Sequence, residues 1–383
     1  MTEATGYLKL LLNNLRRLRE EAGLTSSELE ERLILGPGWI TRFEQGETIP
    51  SVNMLLAILH QTGNNLGELL DKLPDSPKVT EIDRFIYAEQ SGKDIVIHFQ
   101  YADFDAEYTL ANSTVDQFEV VVKTMRDGLA RLASTDATLS EAIKTDAVAK
   151  TFLKAVEVWP HGNPSDIWWF IVYRAYCDPY NHPAQYARLD FSQSWKRTGG
   201  WALEQVLIQH YGPFLKKNKI KLFIADNATK SGLITQFKVR ERLEADKIDV
   251  LLTSETPKGE KLFGVVHVKA SFAERRTDDV PMSRALVKAG YTSPLWTMDC
   301  KSTPREKPIN RGELGDSSGE RSAKRKDIED EGYFSGCFSY NRNTEPSPKS
   351  LPVERRIYVC NFNNPNDVFS KFIISRCRKY LSA

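Results

Sequence analysis

Asp249, His267 and Lys269 are the residues whose types and spacing suit chemistry on a phosphodiester. Asp249 stands in the apolar run 248–253, and twenty residues later Val265-Val266-His267-Val268-Lys269 ends on a cation. Successive side chains of a strand alternate faces, so His267 and Lys269 point one way and Val266 and Val268 the other. A carboxylate on one strand and a lysine at the end of the next fit metal-assisted hydrolysis. The carboxylate holds Mg²⁺, and the lysine lowers the pKa of the attacking water or stabilises charge on the phosphate oxygens. Glu204, in the helical stretch 201–211 after Gly199-Gly200, offers a second acid and metal ligand. His267 is unusual beside Mg²⁺, which prefers oxygen. Three roles stay open for it: ligand to a metal such as Mn²⁺, proton acceptor for water, or bystander while Glu204 supplies the missing carboxylate. The plain alternative is a surface lysine and a core-edge histidine in an unrelated sheet. A rival triplet, Asp299-Cys300-Lys301, lies on the following strand.

These residues sit in a basic stretch of a neutral chain. The 383 residues carry a net charge of +1, yet residues 196–310 hold 21 Lys and Arg against 13 Asp and Glu. Residues 1–72 hold 7 against 10. A localised basic segment fits phosphate contact, although a solvated face would look the same. With 41% hydrophobic and 27% charged residues the composition is globular, which argues against disorder, collagen and one long coiled coil. No run approaches the ~18 apolar residues of a membrane span. Cys177, Cys300, Cys337, Cys360 and Cys377 form no C-x-x-C pair, so neither a disulfide framework nor a zinc site is implied. With no secretion signal visible, the expectation is a cytoplasmic protein with reduced thiols.

The elements that must position the site follow from hydrophobic period and turn residues. Residues 1–73 read as five short helices: Leu8, Leu11, Leu12, Leu15 and Leu18 on one face, then 26–33 capped by Thr25 with Glu28, 39–45 stopped by Gly46, 52–61, and 66–70. Pro74–Lys78 reads as a linker. Residues 79–150 form a small α+β segment with strands near 85–87, 95–99 and 108–110 and helices near 115–132 and 139–157. The aromatic cluster Trp159, Trp168, Trp169, Phe170 and Tyr173 is read as core. Residues 151–383 read as an α/β (α+β) domain around a mixed sheet. Its strands are 222–225, 248–253, 262–269, 294–301 and 356–359, and its helices include 281–289 and 368–381. The charged stretch 303–331 reads as a mobile loop.

Leu24-Thr25-Ser26-Ser27-Glu28-Leu29, Ile40-Thr41-Arg42-Phe43-Glu44-Gln45-Gly46 and Pro50-Ser51 resemble the Xre/lambda-repressor helix-turn-helix family. That resemblance implies an all-α domain binding DNA through its third helix, with Arg42 as a DNA contact. Here that helix opens on Gly36-Pro37-Gly38-Trp39 and the segment is acidic, so contact with protein is an equal expectation. The order Glu204, Asp249, hairpin, x-x-Lys269 resembles the PD-(D/E)xK nuclease core, with His267 in place of the second acid. Together with 168–174, 194–200 and 270–279, it is similar to type II restriction endonucleases, among them the BsaWI-like group. The resemblance implies a restriction-endonuclease-like fold, Mg²⁺ (or Mn²⁺), and a homodimer that cuts double-stranded DNA at a short site.

Some enzymes of that family that cut CCGG-containing sites carry Arg-acid-Arg after the lysine, and Ala273-Glu274-Arg275 resembles this with the first Arg missing. Glu274, Arg275 and Arg276 are therefore candidates for reading G·C pairs, or alternatively for holding phosphates. Lys196 and Arg197 are further DNA contacts. Two other readings are a helix-turn-helix transcriptional regulator with an effector domain, and a nuclease fold without activity.

Overall fold

Leu12, Leu15 and Leu18 repeat at helical spacing and are buried along one face of α1 (Glu3–Glu21). Four short helices close over them: α2 (Ser26–Arg32), α3 (Trp39–Gln45), α4 (Val52–Thr62) and α5 (Leu66–Leu70). Their shared core also holds Leu29, Ile40, Phe43, Ile58, Leu59 and Leu69. Thr25 and Glu28 form the expected capping box, and Gly46 and Gly63 end α3 and α4 in the left-handed conformation. Arg19 is clamped by both oxygens of Glu44, at 2.6 and 3.0 Å, tying α1 to α3. The computed structural model describes residues 3–46, 48, 50–71, 73, 85–101, 104–134, 137–182, 190–239, 244–271, 276–301, 308–315 and 321–382. The chain divides into two units, Met1–Asp83 and Arg84–Ala383.

In the second unit, β1 (Ile86–Ser91), β2 (Asp94–Tyr101) and β3 (Phe104–Leu110) form an antiparallel meander. Helices α6 (Val115–Ala130) and α7 (Ser140–Val158) follow. Then come α8 (Pro164–Asp166), a π-helical turn Ile167–Val172 and α9 (Tyr173–Cys177). The stretch read as a small α+β segment, 79–150, shares its core with the main sheet: Ile97, Phe118 and Val148 belong to the same buried cluster as Val266, Val268 and Trp296. Trp159 and Trp168 are fully buried in it, as the core reading required.

The main sheet has six strands in the order β4 (Ile220–Phe223), β5 (Val250–Thr256), β6 (Gly259–Lys269), β7 (Leu295–Thr297), β8 (Cys337–Ser339) and β9 (Ile357–Val359). β4, β5 and β6 are antiparallel, and β6 to β9 are parallel, so the sheet is mixed as expected. Gly264 is needed in β6, because a Cβ there would sit 2.1 Å from the Thr292 carbonyl oxygen of the next segment. α10 (Phe191–Lys216) packs on β4 and β6. It starts ten residues before the stretch expected, since Gly199 lets the helix close on the Trp195 ring rather than break.

α11 (Asn227–Ile234) precedes β5, and α12 (Arg276–Lys288) crosses from β6 to β7. α14 (Val368–Ser382) closes the chain as expected. The stretch expected to be a mobile loop, 303–331, holds α13 (Ala323–Glu329) instead. Two of the helix's cations are paired. Arg325 is fully buried, bonding Glu329 at 2.7 Å and the Leu314 carbonyl at 3.1 Å, and Lys324 meets Glu313 at 2.7 Å. Among the described residues no helix is long and apolar enough to cross a membrane.

Candidate active site

The ladders of β5 set the position of Asp249. Pairing of Val250 with Val266 starts the β5–β6 hairpin, so Asp249 lies one residue before the strand. Its Oδ2 accepts from the Val268 amide at 2.8 Å and from Lys269 Nζ at 2.7 Å. Both side chains are at least nine-tenths buried. Two neighbouring strands therefore bring Asp249 and Lys269 together, as their spacing implied.

A further carboxylate, absent from the sequence reading, completes the group. Asp279, in the first turn of α12, stands 3.4 Å from Lys269 Nζ and 3.7 Å from His267 Nδ1. It is 1% exposed. Burial would raise its carboxyl, but His267 and Lys269 outweigh burial and hold it below the usual carboxylate range. The helix start also favours an anion there. A signal was present: two acids, Asp278 and Asp279, precede Pro281. Placing the helix start at Pro281, the favoured first helical residue, put them outside the helix.

His267 shares the Lys269 face of β6, as alternation required, and its side chain is fully buried. Nε2 meets Ser293 Oγ at 2.9 Å, which meets Ser283 Oγ at 2.8 Å on α12. Phe334 packs edge-on against the ring. Nδ1 of His267 and Oδ2 of Asp279 are buried without a hydrogen-bond partner among the described residues. Glu204 is 8% exposed on α10, the helix packed on β6. Among the described residues no three His, Cys, Asp or Glu side chains form a group that could hold a metal ion.

The rival triplet is a buttress. Asp299 accepts from the Glu313 and Leu314 amides at 2.6 and 3.2 Å and from Thr344 Oγ1 at 2.6 Å. Burial pushes its carboxyl up to about 6. Lys196 and Arg197 are exposed on α10, with Arg197 over the Trp201 ring. Glu274 and Arg275 lie outside the described residues, and Arg276 opens α12. In the other unit Arg42 turns back on its own helix, donating to the Gly38 carbonyl at 3.3 Å and covering Trp39. The first amides of α3 are taken by Glu30, which accepts from Gly38 at 3.0 Å and Ile40 at 2.9 Å.

The site is thus built on a mixed sheet whose adjacent strands bring a buried aspartate and a lysine together. Comparison with known proteins gives the family. The type II restriction enzyme AgeI of Thalassovita gelatinovora is 38% identical over 239 residues, 60% of this chain and 84% of that enzyme. A crystal structure of a specific AgeI–DNA complex superposes with a TM-score of 0.64 at 32% identity, covering 73% of this chain and 99% of that one. A BsaWI–DNA complex matches at 15% identity with a TM-score of 0.32, covering 69% of this chain and 94% of that one. Residues 11–71 match the model of a helix-turn-helix domain family. This chain belongs to the type II restriction endonucleases, enzymes that hydrolyse DNA at specific sequences. Members of that family generally use a divalent metal ion.

Proposed function

We propose that this protein is a Mg²⁺-dependent endonuclease that cuts double-stranded DNA with Asp249, Asp279 and Lys269 at the centre of its active site. The observation that carries the reading is Lys269 Nζ lying within 3.4 Å of both buried carboxylates. An ammonium there occupies the kind of place that suits a cation. Mg²⁺ is usually held by one or two carboxylates plus substrate phosphate and water, so two acids suffice. The unpartnered Asp279 oxygen fits that use. Mn²⁺, which tolerates imidazole better, fits the neighbouring His267 nitrogen.

Bound metal would polarise the scissile phosphate and make a water acidic enough to attack. The remaining work belongs to the chain. The Val268 amide fixes the Asp249 carboxylate. Lys269 is aimed to neutralise charge growing on the phosphate oxygens, where a prearranged cation acts without reorganisation. His267, braced through Ser293 and Ser283, sets its Nδ1 3.7 Å from Asp279. Glu204 serves as an outer acid from α10. Lys196 and Arg197 hold backbone phosphates, while Glu274, Arg275 and Arg276 read a G·C-rich core in the major groove.

One such site cuts one strand at a time, and a homodimer would place two sites on the two strands. Five free cysteines suit a cytoplasmic setting. The helix-turn-helix adds affinity or assembly rather than base reading, since Glu30 already fills the start of α3 and Arg42 is folded back. Supercoiled plasmid incubated with Mg²⁺ or with a chelator tests the reading. Discrete fragments that appear only with metal support it. Intact plasmid under both conditions, from protein that binds DNA, rejects it.

A further inference from the structure

Asp249 lies just outside the sheet ladders. β4 pairing ends at Phe223 with Leu251, and β6 pairing begins at Val250 with Val266. Outside the ladders the Ile248 amide donates to the Ala245 carbonyl at 3.3 Å, which leaves the Ile248 carbonyl in want of a tether. Lys230, on α11, supplies one, its ammonium donating to the Ile248 carbonyl. This lysine is only 8% exposed. An ammonium is costly to bury without a counter-charge, and among the described residues no carboxylate lies within the 4.0 Å that defines an ion pair. A lysine kept there at such cost, on the peptide group that leads into Asp249, is matched by what it holds. Asp249 is then gripped twice: through its backbone from α11 and through its carboxylate from the Val268 amide.

We infer that Lys230 is a positioning residue for DNA cleavage, acting through the Ile248–Asp249 peptide to keep the Asp249 carboxylate in register with Lys269. This rests on the active-site reading above. A partner that orients a metal-binding carboxylate is worth 10–100-fold in metal affinity or rate.

The test compares Lys230→Met, which fills the space but cannot donate, with Lys230→Arg, which can, and with Asp249→Asn as control. Single-turnover cleavage, metal-free DNA binding, Mn²⁺ affinity by calorimetry and thermal melting are read for each full-length protein. Lys230→Met should lose roughly 10–100-fold in rate and bind Mn²⁺ correspondingly less tightly. Its metal-free DNA affinity and melting should stay unchanged. Lys230→Arg should recover most of the rate. Four results would overturn the inference: an unchanged rate; a lower salt slope of DNA binding, which marks a phosphate contact; tighter Mn²⁺ binding, which marks a bare charge effect; or a methionine variant that does not fold. If Asp249→Asn also cuts normally, the active-site reading fails. If only Lys230→Met cuts normally, this inference fails alone.

Discussion

Asp279 on α12 and Lys269 at the end of β6 stand 3.4 Å apart although ten residues and a change of element separate them. α12 starts at Arg276, and its first turn brings Asp279 to the end of β6. Asp249 reaches the same ammonium at 2.7 Å. The site is thus drawn from two strands and a helix start, and each part fails differently when altered.

Asp279→Asn keeps the shape and removes the charge. It should lower single-turnover cleavage by at least about 10²-fold, the scale for losing one prearranged electrostatic group, with DNA binding retained. Rates measured at rising Mg²⁺ check this. Activity equal to wild type would place Asp279 outside the chemistry.

Asp166 gives a pH dependence of the fold. Burial raises its carboxyl to about 6, against the pull of Asn310, whose amide donates to it at 2.8 Å. A carboxyl with a raised folded value contributes fully below the unfolded value, near 3.9. That contribution fades as pH climbs through about 6. Wild type should therefore lose stability between those values, and Asp166→Asn should flatten that part of the curve. Urea unfolding at pH 4, 5, 6 and 7 measures both slopes, and parallel curves would refute the assignment.

Arg275→Ala should cost ~1–3 kcal/mol at one G·C position and relax discrimination there. Cleavage of a substrate set with single base changes reads this out. Uniformly weaker binding to every sequence would make Arg275 a phosphate contact instead.

A chain beginning at Arg84 should fold and cut at the same sequence with lower DNA affinity or altered assembly, because the helix-turn-helix has its own core. Mapping of fragment ends from both proteins decides it. A changed cleavage sequence would give α3 a base-reading role.

Much of this architecture was legible in the residues, for local reasons. Thr25 with Glu28, and Gly46, mark helix ends by satisfying or freeing the backbone. The Asp249 and Lys269 strands announced themselves by alternation and by apolar runs. What stayed hidden depends on distant partners. Nothing local shows that Arg325 is buried against the Leu314 and Glu345 carbonyls, so α13 read as solvated charge. The three residues of β8 are too few for a periodic signal and are a strand because β7 and β9 flank them. Asp279 was missed because a proline that commonly starts helices here lies inside one.

We propose that Lys269, which meets both Asp249 and Asp279, serves the cleavage step. Single-turnover cutting of supercoiled plasmid by Lys269→Met, with saturating protein and Mg²⁺, tests it most directly. The expected result is plasmid that stays intact while a gel shift shows DNA still bound. The same discrete fragments at the wild-type rate would contradict the account.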